Sequence, residues 1–183
     1  MPSGAKVDGP LLSLKLHIPY LSQSKVRGQS SLPAEALDTA IIDQLKLDRI
    51  AAALNAPLIS AGRNRFDLLV ELADEKTVRE LQPDYRLIAS FPVRGVIVTS
   101  RASSPGFEFV SRFFAPRVGV DEDPVCGSAH CCLGPFWASR LGRTELTGHQ
   151  VSPRGGVVKV RVDGARVALI GQAVAVLRGE LLG

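Results

Sequence analysis

The run Gly119-Val120-Asp121-Glu122-Asp123-Pro124-Val125-Cys126-Gly127-Ser128-Ala129-His130 sets three acidic residues and a proline directly before a Cys-Gly-Ser-Ala opening to an apolar helical segment. Proline disfavours helix at the residue before it and has no N–H of its own, so Asp123-Pro124 ends whatever strand precedes it. The small residues Gly127 and Ser128 then leave N–H groups unpaired at a helix start. Such a terminus attracts a carboxylate or phosphate through its donors and the positive end of its dipole. Asp123 stands close enough to exchange a proton with a ligand so held. Ser128 is placed to cap the helix, to bond the ligand, or both. An acidic residue before a proline and a helix is also a common turn and cap, and Asp121 with Glu122 reads as a solvated run.

Working outward, the spacing predicts a helix over residues 128–141, with Gly142 at the left-handed position that ends it. Pro135 inside it predicts a kink or a loose centre. Ala129, His130, Cys131, Cys132, Leu133, Phe136 and Trp137 form its core side. His130 reads as a packed, hydrogen-bonded histidine, with acid/base work as the alternative. Upstream, 95–100 and 107–114 read as strands, and 57–61 with 66–72 as a hairpin around 62–65. Residues 43–55 form a helix whose Leu45, Ile50, Ala53 and Leu54 share a face, and 73–81 form a shorter one. Nearer the N-terminus, 11–18 reads as a strand, 19–33 as a loop and 33–37 as a helical turn. Downstream, 157–162, 166–170 and 174–177 are strands parted by glycine turns. The sum is an α+β domain rich in antiparallel strand.

With 183 residues, 45% hydrophobic and 22% charged, the composition is that of an ordinary globular chain. No apolar run reaches bilayer length, so no membrane partner is expected. Residues 1–6 lack the apolar core of a signal peptide, and a cytoplasmic setting is expected. The formal charge of +4 comes from scattered cations and only 5% of residues are aromatic, which argues against a nucleic-acid partner. A few focused cations suit an acidic small molecule better. Cys126, Cys131 and Cys132 fall within seven residues, unlike a secreted disulfide framework. Their Cys-x4-Cys-Cys spacing, even with His130 among them, lacks zinc-site geometry, so no metal is expected.

Several segments together resemble the PhzF-like, phenazine-biosynthesis-type isomerase family. They are Arg112-Phe113-Phe114-Ala115-Pro116, Gly119-Val120, Glu122 through His130, Trp137, Gln150-Val151-Ser152-Pro153-Arg154-Gly155-Gly156, and Gly171-x-Ala173-x-x-Val176-x-x-Gly179. The agreement runs in order over roughly 70 residues, and the Cys-Gly-Ser-Ala-His-Cys variant is similar to the plant-like branch. The resemblance implies the diaminopimelate-epimerase-like fold, in which two similar domains, each a curved sheet wrapped on a central helix, face each other across a cleft. It also implies proton transfer on a small carboxylic-acid substrate without metal or organic cofactor. On that reading Asp123 is the acid/base of this half, Gly127 and Ser128 bind the substrate, and Arg154-Gly155-Gly156 is a strand-entry turn. Related epimerases carry a catalytic cysteine just before the glycine of the corresponding helix start, the place of Cys126. A thiol there would have its pKa lowered by the helix terminus, or would simply fill space.

The family's first-domain helix start, Gly-His-Ala-Thr, and its catalytic glutamate have no counterpart upstream of Leu11. Residues 1–10 are therefore expected to be disordered or a remnant of that domain, 11–170 to be the second domain, and 171–183 a final strand pairing with the first. A catalytically inactive single domain, binding an anion or a protein partner, is the alternative. Either way, a second copy or a partner chain is expected over the exposed cleft face.

Overall fold

Two kinds of strand can be told apart by their apolar pattern, and they occupy different parts of one sheet. The computed structural model describes residues 26–38 and 44–173. The chain divides into two compact units, 1–28 with 172–183, and 29–171; the second holds nearly all described residues and is the unit considered below. Its elements are β1 (Val26–Pro33), α1 (Gln44–Leu54), β2 (Ser60–Arg63), β3 (Asp67–Glu71), α2 (Glu75–Glu80), α3 (Tyr85–Ala89), β4 (Gly95–Arg101), β5 (Phe109–Phe114), α4 (Gly127–Leu141), β6 (Glu145–Gln150), β7 (Gly156–Asp163) and β8 (Arg166–Ala173). Among the described residues the sheet has eight strands in the order β1-β8-β7-β6-β5-β4-β3-β2. The β3/β4 and β5/β6 pairs are parallel; β2/β3, β4/β5, β6/β7 and β7/β8 are antiparallel.

β3, β4 and β5 are buried along nearly their whole length, the polar Asp67, Thr99, Ser100, Ser111 and Arg112 included, because both their faces are covered. Leu69, Ile97, Phe109 and Phe113 join one core with α4. Leu68, Val70, Val96, Val98, Val110 and Phe114 point the other way, into a second core with α1, α2 and α3. β7 alternates instead, with Val158 and Val160 buried and Val157, Lys159 and Arg161 exposed, so one of its faces meets α4 and the other water.

α4 is the axis of the first core. Its Trp137 donates Nε1–H to Thr99 Oγ1 on β4 at 3.0 Å and stacks on Phe109 of β5, the planes 3° apart. On its other side Gly134 lies against Val160 and Val167, where an added Cβ would stand 2.6 Å from Val160 Cγ1. Strands β8 through β4 span about 19 Å at ordinary spacing, nearly twice the width of a helix. Contact with both ends of that span requires the sheet to curl around α4.

Pro135 lies inside α4 and removes the N–H that would bond the Cys131 carbonyl one turn back. Glu35 supplies the missing donor, its N–H reaching Cys131 O at 3.1 Å, while Ala34 N–H bonds Ala165 O at 2.9 Å. The helix interruption is thus a docking point for the segment after β1, and Ala34 and Leu37 pack against the first core.

Four sequence expectations change, the first being that β6 (Glu145–Gln150), not anticipated, is a strand between β5 and β7. Residues 26–33, expected to be loop, form β1, since an edge strand needs a partner's ladder more than an apolar alternation of its own. Arg166 reinforces it through Ser31, with Nε 2.9 Å from Oγ and Nη2 2.6 Å from the carbonyl. Residues 34–37 are not helical; the N–H groups of Ala34 and Glu35 serve other segments. α3, unanticipated, is a short helix capped by Asp84, whose Oδ1 accepts Leu87 N–H at 3.0 Å. The strands expected at 11–18 and 174–177, and the domain ends at 1–10 and 174–183, lie outside the described residues. Among the described residues no helix is long and apolar enough to cross a membrane.

Glu75 pins the β4–β5 connection to α2. Its carboxylate, 3% exposed, accepts the N–H and hydroxyl of both Ser103 and Ser104 and the guanidinium of Arg79. Burial opposes its ionisation, but the bonds from Ser104, Arg79 and Ser103 outweigh it and hold the pKa at about 2, against an ordinary 4.5. The folded state therefore binds fewer protons than the unfolded one between those values. Stability from this group is complete above about pH 4.5 and is lost as pH falls through about 2, a total on the order of 3 kcal/mol. Urea unfolding from pH 6 down to pH 2.5 is expected to show a steeper loss in the native chain than in Glu75→Gln. Parallel pH curves would remove Glu75 from that role.

Candidate functional site

The segment carrying the acidic run is folded back onto the strand it leaves. After β5 the chain makes one 3-10 turn over Pro116–Val118, closed by Gly119 at φ 84, and Val120 then pairs with Ala115. Asp121 is exposed as expected, but Glu122 is not part of a solvated run. Its two oxygens take Nε and Nη2 of Arg112 at 2.7 and 2.8 Å, and both side chains are about nine-tenths buried. Arg112 Nη1 also donates to the carbonyl of Leu81, at 2.9 Å, at the end of α2. The charge is buried because one guanidinium satisfies a carboxylate and a helix terminus at once.

Asp123 follows with its backbone fully paired. Its N–H bonds Phe113 O at 3.0 Å and its carbonyl accepts Gln150 Nε2 closely. Asp123 Oδ1 accepts Val125 N–H at 3.0 Å, an Asx turn, and Oδ2 has no hydrogen bond among the described residues. Gln150, fully buried, uses its Oε1 to accept Cys126 N–H at 2.8 Å. Ser152 Oγ donates to Pro124 O at 2.7 Å and accepts Gly155 N–H at 3.0 Å. Residues 154–156 are the expected strand-entry turn, with Gly155 at φ 66 before β7. The end of β6 thus holds 123–126 as a template, leaving one carboxylate oxygen of Asp123 unengaged.

At the start of α4 the cap is Cys126, extended at φ −99, with no side-chain capping bond. Ser128 is therefore the second helical residue rather than the cap. The N–H groups of Gly127 and Ser128 are not hydrogen-bonded within the described residues, which is the ordinary state of a helix start. Ser128 Oγ sits 3.0 Å from Arg94 Nη2 and 3.3 Å from Cys126 Sγ. Arg94 is forked onto both oxygens of Asp67, which is 1% exposed, and lies 5.6 Å from the Phe113 ring centre. The hydrogen bond to Asp67 raises the guanidinium pKa beyond its ordinary value.

The thiol and the imidazole behave differently from their neighbours. Burial pushes the Cys126 pKa up; the Ser128 hydroxyl opposes this, and Arg94 opposes it more weakly. The lowering expected from the helix terminus is thus outweighed by desolvation. Burial also raises Cys131 to about 11 and Cys132 to about 12. His130 is wholly buried, and burial lowers its pKa. Its Nδ1 lies 2.8 Å from Cys126 O, so that nitrogen carries the proton, and Nε2 has no partner among the described residues. His130 therefore braces the carbonyl of the cap from the core side.

The structure gathers Asp123, Cys126, Gly127 and Ser128 at one helix start and sets His130 behind it. Sequence reasoning passed over Arg94, Asp67, Gln150 and Ser152 as functional neighbours. Gln150 and Ser152 stand in a motif already singled out, so a signal existed. Arg94 lies 34 positions from Ser128 with no local pattern around it.

A curled sheet around a helix whose start carries Asp-Pro-x-Cys-Gly-Ser is the diaminopimelate-epimerase-like fold. A family model described as phenazine biosynthesis-like protein, PhzC-PhzF, matches residues 8–179. The chain belongs to that family. It is 52% identical over 121 residues to a protein of Halalkalibacterium halodurans named an uncharacterized isomerase, covering 66% of this chain and 46% of that one. A Pseudomonas aeruginosa protein, also named an uncharacterized isomerase, is 45% identical over 149 residues, 81% of this chain and 53% of its own. The crystal structure of a phenazine biosynthesis protein of the PhzF family from Enterococcus faecalis superposes with a TM-score of 0.76 at 36% identity, covering 85% of this chain and 57% of that one. The chain spans about half the length of the curated relatives it matches.

Proposed function

We propose that this chain carries one half of a cofactor-independent isomerase site that moves a proton on a small carboxylic-acid substrate. The observation that carries the reading is the free Oδ2 of Asp123, held by a fully bonded backbone beside the unpaired N–H groups of Gly127 and Ser128. The helix start and the Ser128 hydroxyl receive the substrate carboxylate, whose growing negative charge during deprotonation of a neighbouring carbon is stabilised by the same donors. Asp123 then delivers or removes the proton on the face it lines. A carboxylate from the relatives' other half serves the opposite face. Cys126, with its thiol pushed up by burial, supports the cap and leaves proton transfer to Asp123.

The names of the relatives support the isomerase class, and the motif at 122–130 supports the assignment of roles. Incubation in D2O with a panel of small carboxylic acids, followed by proton NMR, is expected to show deuterium entering one carbon of a panel member. Binding without exchange would leave an anion-binding module. Absence of both would end the proposal.

The module reading also draws on one observation. Val118, Val120, Val125 and Val157 are 58, 42, 40 and 46% exposed, and Val125 packs beside Gly156 at the site. A second copy or partner chain covering them would bury that apolar surface. Sedimentation analysis distinguishes this from a monomer.

A further inference from the structure

We infer that Arg94 is a positioning residue that commits the Ser128 hydroxyl to donation, so that this helix start selects a carboxylate over the neutral amide of the same shape. The inference rests on the carboxylate-anchoring reading proposed above. A guanidinium has donors and no acceptor, so the 3.0 Å contact from Nη2 fills a lone pair of Ser128 Oγ and cannot use its hydrogen. That hydrogen must go to another acceptor. Among the described residues the other neighbour is Cys126 Sγ at 3.3 Å, a weak acceptor that a carboxylate oxygen would displace.

Arg94 is not free to turn away from this task. Nε and Nη2 are both engaged by Asp67, itself 1% exposed, and the Asp67 N–H is tied to Asn64 Oδ1 at 2.7 Å. The rings of Phe66 and Phe113 lie 5.4 and 5.6 Å from the guanidinium carbon. Asp67 also compensates the positive charge, so Arg94 acts here through the direction of a bond more than through a distant field. The ligand then meets three donors from two residues: the N–H groups of Gly127 and Ser128, and the Ser128 O–H. A carboxylate satisfies all of them with lone pairs. An amide turns an NH2 toward donors and leaves it unpaired, which corresponds to a roughly 10- to 100-fold weaker complex. Asp123 Oδ1 is already bonded to Val125 N–H, so an amide could pair its NH2 only by turning it away from the helix start toward Asp123 Oδ2, with the loss of a contact to the three donors.

The test is a titration with benzoate and benzamide, two probes of one shape, by calorimetry and NMR. The native protein is expected to favour benzoate by about tenfold or more. Because Arg94→Met alone would strand the Asp67 carboxylate, Arg94 is removed in the pair Asp67→Asn/Arg94→Met. That pair should bring the ratio toward one, chiefly by weakening benzoate. Ser128→Ala should do the same, and adding the pair to Ser128→Ala should change the ratio no further. Additive losses, or a preserved ratio in the pair, overturn the inference while leaving the carboxylate reading intact. If the pair does not fold, Asp67→Asn/Arg94→Gln is measured; the glutamine amide can accept the Ser128 hydrogen as well as donate, and an unchanged ratio overturns the inference. A native protein that binds neither probe overturns both this inference and the reading beneath it.

Discussion

Asp123→Asn is expected to lower turnover by about 10²- to 10⁴-fold, the range that a positioned acid/base contributes, while the melting temperature stays within a degree or two of the native protein. The separation is possible because the fold depends on the Asp123 backbone. Its N–H to Phe113 and its carbonyl to Gln150 are untouched by the change, and an asparagine oxygen still accepts Val125 N–H. What disappears is the ability of the unengaged oxygen to hold and release a proton. The measurement is kcat on a substrate found by deuterium exchange, with a thermal melt of the same sample. Full activity in the variant would remove Asp123 from proton transfer.

The second large effect is structural and reaches the site indirectly. Arg112→Met is expected to destabilise the protein by roughly 3–5 kcal/mol, since it leaves the nearly buried Glu122 carboxylate uncompensated. For a chain of this size that lowers the melting temperature by about 10 °C. Both the carboxylate and the Leu81 carbonyl lose their donor. Arg112→Met combined with Glu122→Met should recover much of the loss, because removing both charges avoids stranding either one. A double variant no more stable than Arg112→Met would mean that Arg112 acts mainly through α2. Since Glu122 adjoins Asp123, Arg112→Met should also loosen the template holding Asp123, visible as faster hydrogen exchange at its amide.

The parts of the fold legible in advance were those where covalent sequence and environment agree. The apolar residues of β3, β4 and β5 mark them as strands, and the small residues before 128–141 with Gly142 after it mark both ends of α4. β1 was missed because its serines and glycine carry no apolar alternation; its strand character comes from pairing with β8. Glu122 was misread because a carboxylate's solvation depends on a partner ten positions away in β5. The depressed thiol expected at Cys126 failed for a related reason: the dipole at a helix start is visible in sequence, but the depth of burial is not.

The run at 119–130 determined, from its own residues, that a proline-broken segment delivers an aspartate to a small-residue helix start. Such local geometry follows from φ restrictions and unpaired N–H groups, which neighbours in sequence control. Only the tertiary structure decided what surrounds that start: Gln150 and Ser152 templating its approach, His130 bracing it from the core, and Arg94 with Asp67 setting the direction of the Ser128 hydroxyl. Those bonds join residues up to 34 positions apart through the curl of a sheet around α4. Long-range register of that kind is set by packing and by the pairing of buried polar groups, neither of which leaves a periodic mark in the chain.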